Sequence, residues 1–116
     1  WLMANFDTVI ETTFSALSDP TRCAVVKALS QGPAAVSKLA QPFDMALPSF
    51  TQHLAVLEDA GLISSERQGR TRICSLDPDA LRRAEDWLAT YRRQAEERLD
   101  RLEAHPDQQK KDNPDD

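Results

Sequence analysis

The chain has only three glycines, and each falls where a periodic run of residues stops. Gly32, followed by Pro33, closes a segment that opens on Asp19 and Pro20, a capping carboxylate and a first-turn proline whose missing N–H costs no hydrogen bond. Gly61 closes the run "PSFTQHLAVLEDAG" at 48–61. Gly69 sits in "RQGR", between the strand-compatible stretches Leu62–Glu66 and Arg72–Leu76, where it supplies the positive backbone angle of a tight hairpin. This punctuation leaves room for short helices and a two-stranded ribbon, and for no long element before residue 79.

Helical spacing fills the intervals. Phe6, Val9, Ile10, Thr13, Phe14 and Leu17 line one face behind Asn5 as N-cap, which predicts a first helix over residues 6–17. Val25, Val26 and Leu29 mark the second helix. Val36, Leu39 and Ala40 mark a short third over Val36–Gln41, and the fourth follows "PFDMA" and ends at Gly61. From Asp79 to about Ala104 a last helix carries Leu81, Ala84, Leu88, Tyr91, Ala95, Leu99 and Leu102, a spacing close to a heptad seam. A domain this small leaves such a seam in water unless a second copy covers it. Trp87 and Tyr91, one turn apart, are read as core or dimer packing in preference to an aromatic ligand box.

Residues 6–104 therefore form one mainly α domain with a two-stranded β wing. Residues 1–5 are an N-terminal segment, in which Trp1 and Leu2 precede Met3 and receive no role. Residues 105–116 combine Pro, Asp, Gln, Lys and Asn, cannot bury an apolar face, and are expected to be a disordered acidic tail. An apolar fraction of 41% supports one modest core. No run approaches the roughly 18 apolar residues of a membrane span, so the expected location is the cytoplasm. No set of side chains offers a nucleophile with a base and an orienting third group, so an enzyme is not expected, nor any cofactor. The formal charge of -5 argues against a generally basic surface. Charge distribution says more than the sum: residues 67–75 carry Arg67, Arg70 and Arg72 and no acid.

The fourth helix is unusual in placing Ser49, Thr51, Gln52 and His53 in its first turns beside the apolar Phe50, Leu54 and Leu57. A helix-turn-helix needs this division: one helix braces, and the next presents a polar N-terminal face to a DNA major groove. Ser49, Thr51, Gln52 and His53 are thus candidates for contact with bases or phosphates. Arg67, Arg70 and Arg72 would meet phosphate or a narrow minor groove from the hairpin tip. The alternative is a solvated helix face and a soluble hairpin tip, on an interaction module that has kept this scaffold and lost DNA binding. Such a module has no reason to keep "RQGRTR" basic.

Three stretches, "ALSDPTR" at 16–22, "VSKLAQPFDMALPSFTQHLAVLEDAGLI" at 36–63 and "RQGRTRICSL" at 67–76, resemble the ArsR/SmtB type of bacterial winged-helix transcriptional repressors. The resemblance implies a homodimer held by the first and last helices, with Phe6, Ile10, Leu88, Tyr91, Ala95, Leu99 and Leu102 at the contact. It also implies a palindromic double-stranded DNA operator, released when an inducer binds. The chain departs from the family pattern in several places. "VSKLAQ" lacks the cysteine pair of metal-sensing members, and residues 79–104 contain no histidine, so no metal site is expected. Position 52, often basic in the family, is Gln52, and Cys23 stands where a second basic residue commonly follows Arg22. Cys23 and Cys74 are too few for a disulfide framework and read as free thiols. A thiol sensor built from the pair is the alternative.

Overall fold

The computed structural model describes residues 2–104, with side chains from Thr8 to Glu103. The elements run α1 (Leu2–Ala16), α2 (Pro20–Leu29), β1 (Ala34–Ala35), α3 (Val36–Ala40), α4 (Leu47–Asp59), β2 (Ile63–Gln68), β3 (Thr71–Leu76) and α5 (Pro78–Ala104). Two compact units result, one ending at Ala84 and one beginning at Glu85 within α5. The expected tail, residues 105–116, lies outside the described residues, as does the side chain of Phe6. No described helix is long and apolar enough to cross a membrane.

Local chemistry sets the helix ends. Asp19 is extended (φ -105°, ψ 134°), and its Oδ2 accepts from the backbone N–H of Thr21 at 2.8 Å and of Arg22 at 3.1 Å. Two orphan donors of the first turn of α2 are thereby satisfied, and Pro20 contributes none. At the C-terminal end of α4, Gly61 has φ +75°, its N–H reaches Glu58 O at 2.9 Å, and Leu62 N–H reaches Leu57 O at 3.0 Å. This is the paired closure of a Schellman ending, and the fully buried Leu57 and Leu62 are the two residues whose apolar contact usually accompanies it. The chain leaves α4 aimed directly into β2.

Phe50, Leu54 and Leu57 form the buried stripe of α4, at steps of four and three, and join Val25, Leu29, Leu39, Leu62, Ile63, Cys74 and Ala80 in one core. Each fully buried large side chain there stabilises the fold by about 1.5–3 kcal/mol. Phe43 packs on Phe50 with ring centroids 5.4 Å apart. Thr13, the buried polar residue of α1, donates its hydroxyl to Val9 O at 3.0 Å.

Three expectations need correction. The helix α1 begins at Leu2, so Asn5 lies inside it and is not its N-cap position; Leu, Met and Ala at positions 2–4 are good helix formers and extend it. The hairpin strands run to Gln68 and from Thr71, leaving only Gly69 (φ +65°) and Arg70 as the turn. The sheet is three-stranded and not two-stranded: β1 pairs antiparallel with β3 through Ala34↔Cys74 and Ala35↔Ile73, giving the order β1-β3-β2. Two alanines carry neither alternation nor strand propensity, so only their placement beside β3 makes them a strand.

The Asp19 carboxyl feels burial, which raises it, but the Arg22 N–H, the His53 imidazole, the Thr21 N–H and the Arg22 charge together hold it below its ordinary value. A depressed folded value means that its contribution is complete above the unfolded carboxylate range and disappears as pH falls through the folded value. Asp19→Ala is expected to lower the melting temperature by a few degrees at neutral pH and to flatten the loss of stability below about pH 4. Thermal scans of both chains between pH 2 and 7 measure this; parallel pH curves would contradict it.

Candidate nucleic-acid interface

The buried stripe of α4 decides what its other faces present. At about 100° per residue, Ser49 and Thr51 stand roughly 100° to either side of Phe50, Gln52 roughly opposite, and His53 only about 60° away. The burial follows: Ser49, Thr51 and Gln52 are exposed and His53 is half-buried. Ala46, the N-cap residue, makes no side-chain hydrogen bond to the helix, so the first N–H groups of α4 remain open to an acceptor. Thr51 donates its hydroxyl to Pro48 O at 2.9 Å, which leaves Oγ1 as an acceptor toward solvent.

His53 differs from its three neighbours. Its Nδ1 lies 3.1 Å from an Arg22 guanidinium nitrogen and 3.7 Å from Asp19 Oδ2. The ring therefore faces the start of α2. Arg22, the last residue of the "DPTR" capping motif, also donates through Nε to Ala16 O at 2.7 Å and through its other terminal nitrogen to Ser15 O at 3.4 Å. Arg22, Pro48, Ser49, Gln52, His53 and Val56 line an open cleft of about 400 Å³. Sequence reasoning gave Arg22 no place at this site. Two signals pointed there: the 60° offset of His53 from the apolar stripe, and the arginine three residues after a capping aspartate.

The wing brings its arginines together. Arg67 and Arg72 are directly opposed in the β2–β3 register, hence on one face, and Arg70 occupies the turn; all three are exposed. Like charges directly opposite across a strand pair repel. Among the described residues no ion pair to these arginines relieves that repulsion. A phosphate oxygen between or beside the two guanidinium groups would do so.

The residues expected at a dimer contact fall into two groups. Leu88, Tyr91, Leu99 and Leu102 are 51%, 52%, 60% and 49% exposed, and Ala95 is exposed with them. Trp87 and Tyr91 pack on each other with centroids 4.8 Å apart. Ile10, by contrast, is already buried within the single chain, and the exposed large apolar side chain beside it on α1 is Val9.

The two thiols occupy different settings. Cys23 is exposed, and its S–H points to Leu17 O at 2.8 Å. Cys74 is fully buried: it is the inward residue of β3, a choice between Cys74 and Ile73 that alternation alone does not make. Burial raises its thiol above the ordinary range, the Glu58 charge raises it further, and Arg72 opposes both. Among the described residues no three His, Cys, Asp or Glu side chains are grouped as a metal ion would require.

A three-helix core, a polar-faced second helix of a helix-turn-helix and an arginine-tipped hairpin define a winged helix-turn-helix. Comparison with known proteins agrees. The family described as Helix-turn-helix domain matches residues 17–66. The HTH-type transcriptional regulator Rv2034 of Mycobacterium tuberculosis is 39% identical over 71 residues, covering 61% of this chain and 66% of that protein. The transcriptional repressor SdpR of Bacillus subtilis is 30% identical over 82 residues, covering 71% of this chain and 91% of that one. Among solved structures, the crystal structure of an ArsR family transcriptional regulator superposes with TM-score 0.75 at 48% identity, over 78% of this chain and 93% of its own. The chain belongs to the ArsR family of transcriptional regulators. The relatives are regulators and not enzymes, and the same holds for this chain.

Thiol-specific labelling of the native protein is expected to modify Cys23 quickly and Cys74 only after denaturation. Titration with an aromatic disulfide reagent should give one fast equivalent, which Cys23→Ser abolishes. Rapid modification of Cys74 in the folded protein would contradict its placement in the core.

Proposed function

We propose that two copies of the chain bind an inverted-repeat operator and repress transcription, with α4 entering the major groove and the wing holding the backbone alongside. The observation that carries this reading is the opposition of Arg67 and Arg72 with Arg70 at the turn, unpaired among the described residues on a chain of formal charge -5. An interaction module without DNA has no use for that repulsion. The exposed side of α4 supplies the reading surface: the Gln52 amide can pair bidentately with adenine N6 and N7, and Thr51 Oγ1 can accept from a base amino group. The printed name of the relative SdpR, a repressor, supports the direction of control. Genome-wide occupancy mapping tests the proposal as a whole: sites enriched in an inverted repeat near promoters are expected, and uniform occupancy would refute it.

A dimer follows from α5. Four large apolar side chains, each about half exposed or more, repeat along one seam. Covering them in a second copy removes that surface from water, and an inverted repeat read by two recognition helices requires them roughly 34–36 Å apart or a multiple of it. Leu99→Glu places a carboxylate in the seam and is expected to yield a monomer by sedimentation equilibrium at micromolar concentration, where the unaltered chain is dimeric. A monomeric mass for the unaltered chain would overturn this.

The roles of helix and wing separate experimentally. Gln52→Ala is expected to relax preference at one operator position, at a cost of about 1–3 kcal/mol there. Arg70→Ala is expected to weaken binding to operator and scrambled DNA nearly equally. It should also make the slope of log affinity against log salt shallower by about one for each phosphate that Arg70 neutralises. Fluorescence anisotropy across a salt series measures both. Loss of the specificity ratio in the arginine variant alone would reverse the assignment.

A further inference from the structure

We infer that Arg22 is a positioning residue for DNA recognition, which holds the His53 imidazole with Nδ1 as acceptor and Nε2–H as donor, so that His53 donates to a phosphate oxygen at the edge of α4. The inference rests on the proposed DNA-binding function and adds two roles to it.

The geometry decides the tautomer. Arg22 is 3.1 Å from Nδ1, within hydrogen-bond range, whereas Asp19 Oδ2 is 3.7 Å away and outside it. A guanidinium has donors and no acceptor, so Nδ1 must accept, and a neutral imidazole then carries its proton on Nε2. The Asp19 Oδ2 is engaged by the Thr21 and Arg22 backbone N–H groups. Arg22 is itself held in place. Its Nε and second terminal nitrogen reach Ala16 O and Ser15 O at the end of α1, at 2.7 and 3.4 Å. One rigid fork thus joins the end of α1, the start of α2 and the side of α4, which the single nitrogen of a lysine cannot do.

His53 and Arg22 line the same open cleft as Ser49 and Gln52. The Nε2–H donor is therefore supplied next to the residues proposed to read DNA. With Nδ1 accepting from the guanidinium, the ring adds a directed hydrogen bond and no counterion release, so its loss weakens binding without changing the salt slope.

Two substitutions at position 53 divide the ring's functions. His53→Asn keeps an acceptor near the Nδ1 position and loses the distal donor; His53→Gln reaches the Nε2 position and loses the Arg22 contact. His53→Asn is expected to melt like the unaltered protein and to bind operator and scrambled DNA about ten-fold more weakly at an unchanged salt slope. His53→Gln is expected to melt lower and to recover part of the DNA affinity. If His53 serves the fold alone, the order reverses: His53→Asn binds DNA normally, and that result overturns the inference. Arg22→Lys keeps the charge and removes the fork. It is expected to weaken DNA binding as His53→Asn does and to mix the imidazole tautomers, read from long-range nitrogen–proton NMR correlations. Normal DNA binding by a folded Arg22→Lys protein would equally overturn the inference. Should that variant not fold, the pair at position 53 carries the test unaided. Absence of DNA binding by the unaltered chain would instead be a failure of the proposed function, whereas a fully active His53→Asn removes only the roles of Arg22 and His53.

Discussion

Burial of Phe50, Leu54 and Leu57 against α2, α3 and the sheet is the contact on which everything else in the first unit depends. A helix has one rotation about its axis, and the stripe consumes it. Once these three side chains face inward, Gln52 must face outward, Ser49 and Thr51 must flank it, and His53 must lie at the margin. The Schellman closure at Gly61 then brings Leu62 into the same core and sends the chain into β2 without a loop. Hydrophobic burial is non-directional, yet through helix geometry it sets the direction of every polar group on α4.

The electrostatics act at a different scale. A formal charge of -5 describes the whole chain, while an anion within a Debye length of the wing would meet chiefly Arg67, Arg70 and Arg72. The pairing of Arg67 with Arg72 across the hairpin concentrates that field at a cost to the free protein. Beside α4 the logic is the opposite. There Arg22 is engaged by two carbonyls and an imidazole, so its charge serves geometry first. The wing arginines are exposed and, among the described residues, without an ion pair, whereas Arg22 is tied at the helix junction.

The seam on α5 poses a separate constraint. Leu88, Tyr91, Leu99 and Leu102 repeat along one seam and are exposed in the single chain, a situation that the proposed association between copies would relieve. Ile10, on α1, is buried within the single chain.

Much of this was present in the residues themselves. Asp19 and Pro20 start α2, Gly61 ends α4 and Gly69 turns the hairpin because each depends on the conformational limits of one or two residues. The apolar steps from Phe50 to Leu57 likewise predicted which face of α4 is buried. What tertiary structure decided were the matters that depend on distant neighbours: β1 exists because Ala34 and Ala35 meet β3, Cys74 and not Ile73 fills the core, and Ile10 is covered by its own chain. The Arg22–His53 contact belongs with these, since it joins residues 31 positions apart. Local sequence prescribes backbone angles and the periodicity of side chains, but a hydrogen bond between separate helices forms only after packing has brought its donor and acceptor within reach.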